Sequence, residues 1–134
     1  AEERRACELL VERVVAEEGH RVLAWRDVPV DDATLGEVAR ASAPVIRQLV
    51  VSGEGLGDRA LERKLYVIRR QAENAVAGRG GFYVCSLSAR TVTYKGLLTT
   101  EQLPRYYRDL ADPAFASAIA LVHSRFSTNT FPTW

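Results

Sequence analysis

Apolar positions recur every three or four residues at the start of the chain. Cys7, Leu10, Val11 and Val14 fall on one face, which predicts a helix over residues 2–18. Glu2 and Glu3 favour the positive end of that helix, and Gly19 is placed to stop it in the left-handed conformation. From His20 to Val30 the pattern changes to strand formers, Val22, Leu23, Trp25 and Val28, with Pro29 as the terminator. Asp31-Asp32 predicts a turn that caps a short helix over residues 34–41. After Pro44, residues 45–51 read as a second strand. The longest helix is expected over residues 59–77, with Leu61, Leu65, Ile68, Ala72 and Ala75 tracking one face before the glycines at 78–81 end it.

The second half of the chain predicts further strands. Residues 82–87 and 91–95 flank Ser88-Ala89-Arg90 and read as a hairpin, with Cys85 buried in its first strand. Thr100 is positioned to cap a helix over residues 101–110, which Pro104 keeps short or places in its first turn. Asp112-Pro113 is a turn. Residues 116–122 form an apolar run of strand length, followed abruptly by polar residues from His123 onward. A strand that leaves the core in this way delivers polar groups to its end. Helices and strands are mixed and a hairpin is present, so the class is α+β, in one structural unit without internal repeats.

Composition changes this picture little. The chain has 134 residues, 47% apolar and 26% charged, and a net charge of +1, so no nucleic-acid or acidic-membrane partner is indicated. No apolar run approaches a membrane span, and the start of the chain lacks a secretory signal. Cys7 and Cys85 are far apart, without metal-ligand spacing, which favours a reducing cytoplasm and no metal site. No methionine is present, even at position 1, so the chain is expected to begin after a start site, by cutting, by processing or as a segment of a longer protein.

Several residues invite chemistry. Ser52-Gly53-Glu54-Gly55-Leu56-Gly57-Asp58 precedes a helix as a phosphate loop would, but it lacks the P-loop lysine and the dinucleotide spacing, so a surface connection is expected. Arg63, Lys64, Arg69 and Arg70 suggest an anion site or, more simply, a solvated face paired with Glu62 and Glu73. Cys7 reads as a buried apolar-face residue rather than a nucleophile, His20 as a solvated turn residue and His123 as structural rather than a general base. Arg125 stands where the apolar run turns polar. On composition alone it reads as one surface arginine among many, with Ser127-Thr128-Asn129 an ordinary turn, and the alternative is a guanidinium that can grip a carboxylate through two parallel hydrogen bonds.

The stretch His123-Ser124-Arg125-Phe126-Ser127-Thr128-Asn129-Thr130-Phe131-Pro132-Thr133-Trp134 resembles the substrate segment of class II glutamine amidotransferases, the glutamate synthase branch in particular. Phe126 and Asn129 favour that branch over the sugar-phosphate, purine and asparagine ones. Residues 25–30, 61–70 and 85–96 resemble the same branch, in order. The resemblance implies part of a four-layer αββα sandwich of the N-terminal-nucleophile hydrolase type. It makes residues 1–134 a single partial amidotransferase domain that lacks the nucleophile end and the downstream Asn-Gly oxyanion segment. It implies a role in releasing ammonia from glutamine for glutamate biosynthesis. Arg125 would bind the glutamine α-carboxylate, with Phe126, Thr128 and Asn129 lining the pocket. No catalytic residue is assigned, since neither cysteine matches the family nucleophile, and the chain alone is expected to be inactive. The parent enzyme would carry FMN and an iron–sulfur cluster, neither sited in this chain, and its remaining domains would be the partners. The alternative is a non-catalytic amino-acid-binding remnant.

Overall fold

The computed structural model describes residues 2–77, 81–124 and 133–134. Its elements are α1 (Glu2–Glu17), β1 (Val22–Asp27), α2 (Glu37–Ala41), β2 (Arg47–Val51), α3 (Asp58–Ala75), α4 (Leu103–Tyr106) and a 3-10 turn (Arg108–Ala111). The chain divides into two compact units, Ala1–Arg26 with Gln48–Thr93, and Asp27–Arg47 with Tyr94–Trp134.

In the first unit α1 packs on α3. Val11, Val14 and Val15 of α1 meet Ile68 and Ala72 of α3 in a buried cluster, flanked by Val22, Trp25, Leu49, Val51, Phe82 and Leu87. The expected apolar faces are therefore the buried ones, except that Ala75 is exposed and Val76 takes its place. α1 ends as its sequence predicts. Gly19 has φ +81°, its N–H donates to the Ala16 carbonyl at 3.0 Å, and the His20 N–H reaches back to the Val15 carbonyl at 3.0 Å. That last bond tucks His20 inward, so it is buried at 9% exposure rather than solvated. Ser52, at the start of the glycine-rich connection, is also buried. Its N–H donates to the Arg21 carbonyl at 2.8 Å and its Oγ accepts the Arg21 N–H at 2.9 Å.

α3 carries the expected ion pairs of Arg69 and Arg70 with Glu73, at 3.0 and 2.6 Å. Glu62 acts differently. It accepts the Ser88 hydroxyl at 2.9 Å and the Ala89 N–H at 2.7 Å, and so holds the following loop.

The second unit is built on Val28, Leu35, Tyr106 and Tyr107, with Ile46, Tyr94, Leu98, Leu103, Leu110 and Trp134 around them. An antiparallel bridge joins Val30 to Tyr107, and the Asp31 N–H donates to the Tyr106 carbonyl at 2.8 Å. The Asp31 side chain accepts the Ala33 N–H at 3.0 Å in a local turn, so α2 begins only at Glu37. Pro104 falls in the first turn of α4, as expected, and the helix stops after Tyr106, where Tyr107 turns to extended backbone.

Two strand expectations fail. Residues 82–95 form no ladder, and Cys85 is half-buried in irregular backbone with its thiol 3.7 Å from the Thr93 carbonyl. Residues 116–122 form no strand either, and Ile119, Leu121 and Val122 are 85%, 97% and 69% exposed. A strand needs a neighbouring strand to pair with its backbone, and among the described residues neither stretch is joined to one in a ladder. The mixture of helix and strand is α+β, and the sheet among the described residues has two strands, β1 and β2.

Candidate functional site

Arg125, Phe126, Thr128 and Asn129 lie outside the described residues, as does the rest of 125–132. The structure describes what stands on either side of them. Upstream, the Asp112 carboxylate accepts the Ala114 N–H at 2.8 Å and its carbonyl accepts the Phe115 N–H at 2.9 Å. This turn sets Phe115 edge-on to Tyr94, with ring centroids 6.0 Å apart. From Ala116 to Ser124 every residue is exposed, including His123.

Downstream, Trp134 is held firmly. Its indole N–H donates to the Ala39 carbonyl at 2.9 Å, and its ring lies 5.4 Å from that of Tyr106. Gly96 makes the space: a Cβ there would come within 2.7 Å of the Trp134 ring. The signal in the sequence for this anchor is a large amphipathic aromatic, whose N–H seeks a buried acceptor.

The rings beneath Trp134 are buried. Tyr106 and Tyr107 are 1% and 2% exposed, and the Tyr107 hydroxyl donates to the Lys95 carbonyl at 2.6 Å. Burial, with the nearby Asp32 charge, pushes the Tyr106 phenol above its ordinary range, so it stays neutral. The Asp31 carboxyl is held below the usual carboxylate range, first by the Ala33 N–H and then by the Arg108 charge. Glu101 is lowered as well, by its own backbone N–H and by the hydroxyls of Thr99 and Thr100.

Nucleophile chemistry needs a thiol or hydroxyl beside a base. Cys7 is buried on α1, as its position in the apolar pattern predicts, and Cys85 faces the Thr93 carbonyl. Among the described residues no group of three or more His, Cys, Asp or Glu side chains is placed to hold a metal ion. What the described residues offer is a scaffold.

Comparison with known proteins places that scaffold. The model of the family "Glutamine amidotransferases class-II" matches residues 1–134. The chain is 52% identical over 136 residues to the glutamate synthase [NADPH] large chain of Bacillus subtilis, covering 99% of this chain and 9% of that protein. It is 46% identical over 132 residues to the corresponding large chain of Azospirillum brasilense, covering 96% and 9%. With the glutamate synthase [NADH] of Saccharomyces cerevisiae it shares 41% over 134 residues, covering 96% and 6%. The chain thus spans less than a tenth of the length of these relatives. A match to the family model from its first residue to its last shows that the chain belongs to the class-II glutamine amidotransferases.

Proposed function

We propose that these residues are part of the glutamine-hydrolysing, ammonia-producing domain of a glutamate synthase and supply part of its glutamine pocket. The observation that carries this reading is the family match along the whole chain, joined to 52% and 46% identity with glutamate synthase large chains. Arg125 binds the α-carboxylate of glutamine through a bidentate, charge-assisted pair of hydrogen bonds. Phe126 through its backbone, Thr128 and Asn129 line the same pocket. The attacking thiolate and the oxyanion donors come from parts of the parent outside these 134 residues, so the chain alone is inactive. The liberated ammonia serves glutamate synthesis in the remaining domains, which are the partners of this one, in the cytoplasm.

The four-layer sandwich belongs to this proposal. Leu23 of β1 and Val50 of β2 are 56% and 47% exposed, apolar side chains of a sheet whose other face lies on α1 and α3. Ile119, Leu121 and Val122 are exposed too. A second sheet from the rest of the domain would cover such groups and give residues 116–122 a strand to pair with.

An iron–sulfur cluster requires about four thiolates, and this chain has two cysteines. These residues therefore do not fit the cluster, and the cluster and FMN are assigned to other parts of the parent.

The test is Arg125→Ala in the parent enzyme, with glutamine and then ammonia as nitrogen source. The KM for glutamine should rise by about tenfold to a hundredfold, the loss expected for a charge-assisted pair, while Arg125→Lys recovers part of it. An unchanged KM for glutamine would remove the carboxylate-binding role.

A further inference from the structure

The outward face of α3 departs from the pattern of a merely solvated helix. Leu65, Ile68 and Ala72 turn inward. On the opposite side Arg59, Arg63, Tyr66, Val67, Arg70 and Asn74, three or four residues apart, are all exposed. Tyr66 is 62% exposed and Val67 38%. An exposed helix ordinarily sets acids among such cations at the same spacing. Here the acids of α3 are drawn elsewhere. Asp58 goes to Arg90 at 3.4 Å, Glu62 to Ser88 and Ala89 of the following loop, and Glu73 to Arg69 and Arg70. Lys64 is directed away, to Glu18 at 2.7 Å. Among the described residues neither Arg59 nor Arg63 forms an ion pair. Two such guanidinium groups four residues apart weaken a helix by repulsion, so an opposite charge laid against them is stabilising.

We propose that this face of α3 is a docking surface for an acidic segment of the parent polypeptide outside residues 1–134, with Arg59 and Arg63 pairing its carboxylates and Tyr66 packing beside them. Arginine and tyrosine are enriched at the centres of protein interfaces, where lysine and glutamate are sparse. This face carries three arginines and a tyrosine, and neither lysine nor glutamate. A guanidinium is weakly hydrated and takes a carboxylate through two parallel bonds, which suits it to a desolvated contact. Carboxylates one helical turn apart, about 6 Å, match the spacing of Arg59 and Arg63. The matched region is 9% of the large chains of Bacillus subtilis and Azospirillum brasilense, so a parent of that length has ample chain to supply the segment. A polynucleotide would demand a longer basic track than this, on a chain whose net charge is +1. The inference needs a parent longer than this chain and is independent of the glutamine pocket.

The experiment treats the parent enzyme carrying Arg63→Lys with a water-soluble carbodiimide, which joins an amine directly to a carboxylate paired with it. Cross-linked peptides are mapped by mass spectrometry. Native Lys64, paired with Glu18 at 2.7 Å, supplies the internal check on folding and on the reagent. The expected product links residue 63 to an aspartate or glutamate of the same polypeptide outside residues 1–134. Adding Arg59→Glu should cut its yield about tenfold, because like charges across an interface repel, and should leave the Lys64–Glu18 link as it was. No link from residue 63 beside an intact Lys64–Glu18 link would show a solvated face and overturn the proposal. A link to a second copy, recognised by mixing isotope-labelled and unlabelled enzyme, or to another subunit would overturn it too. Should the Lys64–Glu18 link fail to form, the unsubstituted enzyme decides through phenylglyoxal labelling. Arg59 and Arg63 modified several times more slowly than a free arginine derivative support docking. Equal rates, or protection that nuclease treatment removes, overturn it.

Discussion

Lys64 Nζ stands 2.7 Å from Glu18 Oε2, which ties the middle of α3 to the residue that follows α1. Gln71, two turns further along α3, donates its amide to the same carboxylate. These two bonds, Lys64 first, hold the Glu18 carboxyl below its ordinary value of 4.5. A carboxylate lowered by folding stabilises the folded state above its unfolded pKa, and that contribution is lost as pH falls through the lowered value. Glu18→Gln should therefore melt at a lower temperature than the unsubstituted protein at neutral pH. The two melting curves should converge as the pH drops below 4.5. Melting temperatures that stay parallel down the acid limb would show that the pair contributes nothing pH-dependent.

The packing of α1 on α3 makes a second prediction. Ile68 is fully buried against Val11, Val14, Val15 and Ala72. Ile68→Ala deletes methyl groups that the neighbouring valines, themselves fixed on a helix, are poorly placed to replace. The expected loss is about 2–5 kcal/mol, against about 0.5–1.5 kcal/mol for Ile68→Val. Urea unfolding measures both, and equal midpoints for the two variants would mean that the core collapses around the gap.

Gly19 supplies a third. Its φ of +81° is left-handed, yet nothing lies within 4 Å of where a Cβ would sit. Any cost of Gly19→Ala is then conformational rather than steric, about 1–2 kcal/mol. Gly36, with φ −63° and equally open space, should accept alanine with little change. If thermal unfolding shows the same shift for both, the left-handed cap is not what ends α1.

These cases show what was legible in the sequence. α1, α3 and the Gly19 stop depend on spacing within a few residues and on one backbone conformation, and both are written locally. The strands expected over residues 82–95 and 116–122 depend on partners elsewhere in the chain, which no local pattern encodes. His20 reads as solvated for the same reason, because its burial accompanies the bond to Val15 and not its own polarity. Arg125 stands out locally as a guanidinium at the end of an apolar run, but its expected place in a glutamine pocket comes only from resemblance, since a pocket assembled from separated segments leaves no periodicity. The place of Trp134 on Tyr106 emerged only from tertiary contact.

A fourth prediction concerns the buried hydroxyl of Tyr107. Tyr107 is 2% exposed and donates to the Lys95 carbonyl at 2.6 Å. Tyr107→Phe keeps the ring and its contacts with Tyr94 and Tyr106 but removes the donor. The loss should be about 1 kcal/mol, the usual net worth of one internal hydrogen bond, and larger if the carbonyl is left dry. A denaturation midpoint equal to that of the unsubstituted protein would mean that water replaces the hydroxyl.

Ser88 carries the last prediction. Its hydroxyl donates to Glu62 at 2.9 Å, and its oxygen accepts the N–H of Arg90 at 3.0 Å and of Thr91 at 3.2 Å. Glu62 in turn accepts the Ala89 N–H at 2.7 Å, so α3 and residues 88–91 share one small network. Glu62→Gln keeps a carbonyl acceptor and should loosen the network only partly. Ser88→Ala removes one donor and both acceptances, and should cost about 1 kcal/mol because the released groups are partly open to water. The more specific readout is amide exchange, which should accelerate at Arg90 and Thr91 in Ser88→Ala and at Ala89 in Glu62→Gln. Protection that stays unchanged at all three amides would show that the loop is held by the backbone alone, and that Glu62 is no more than a surface charge on α3.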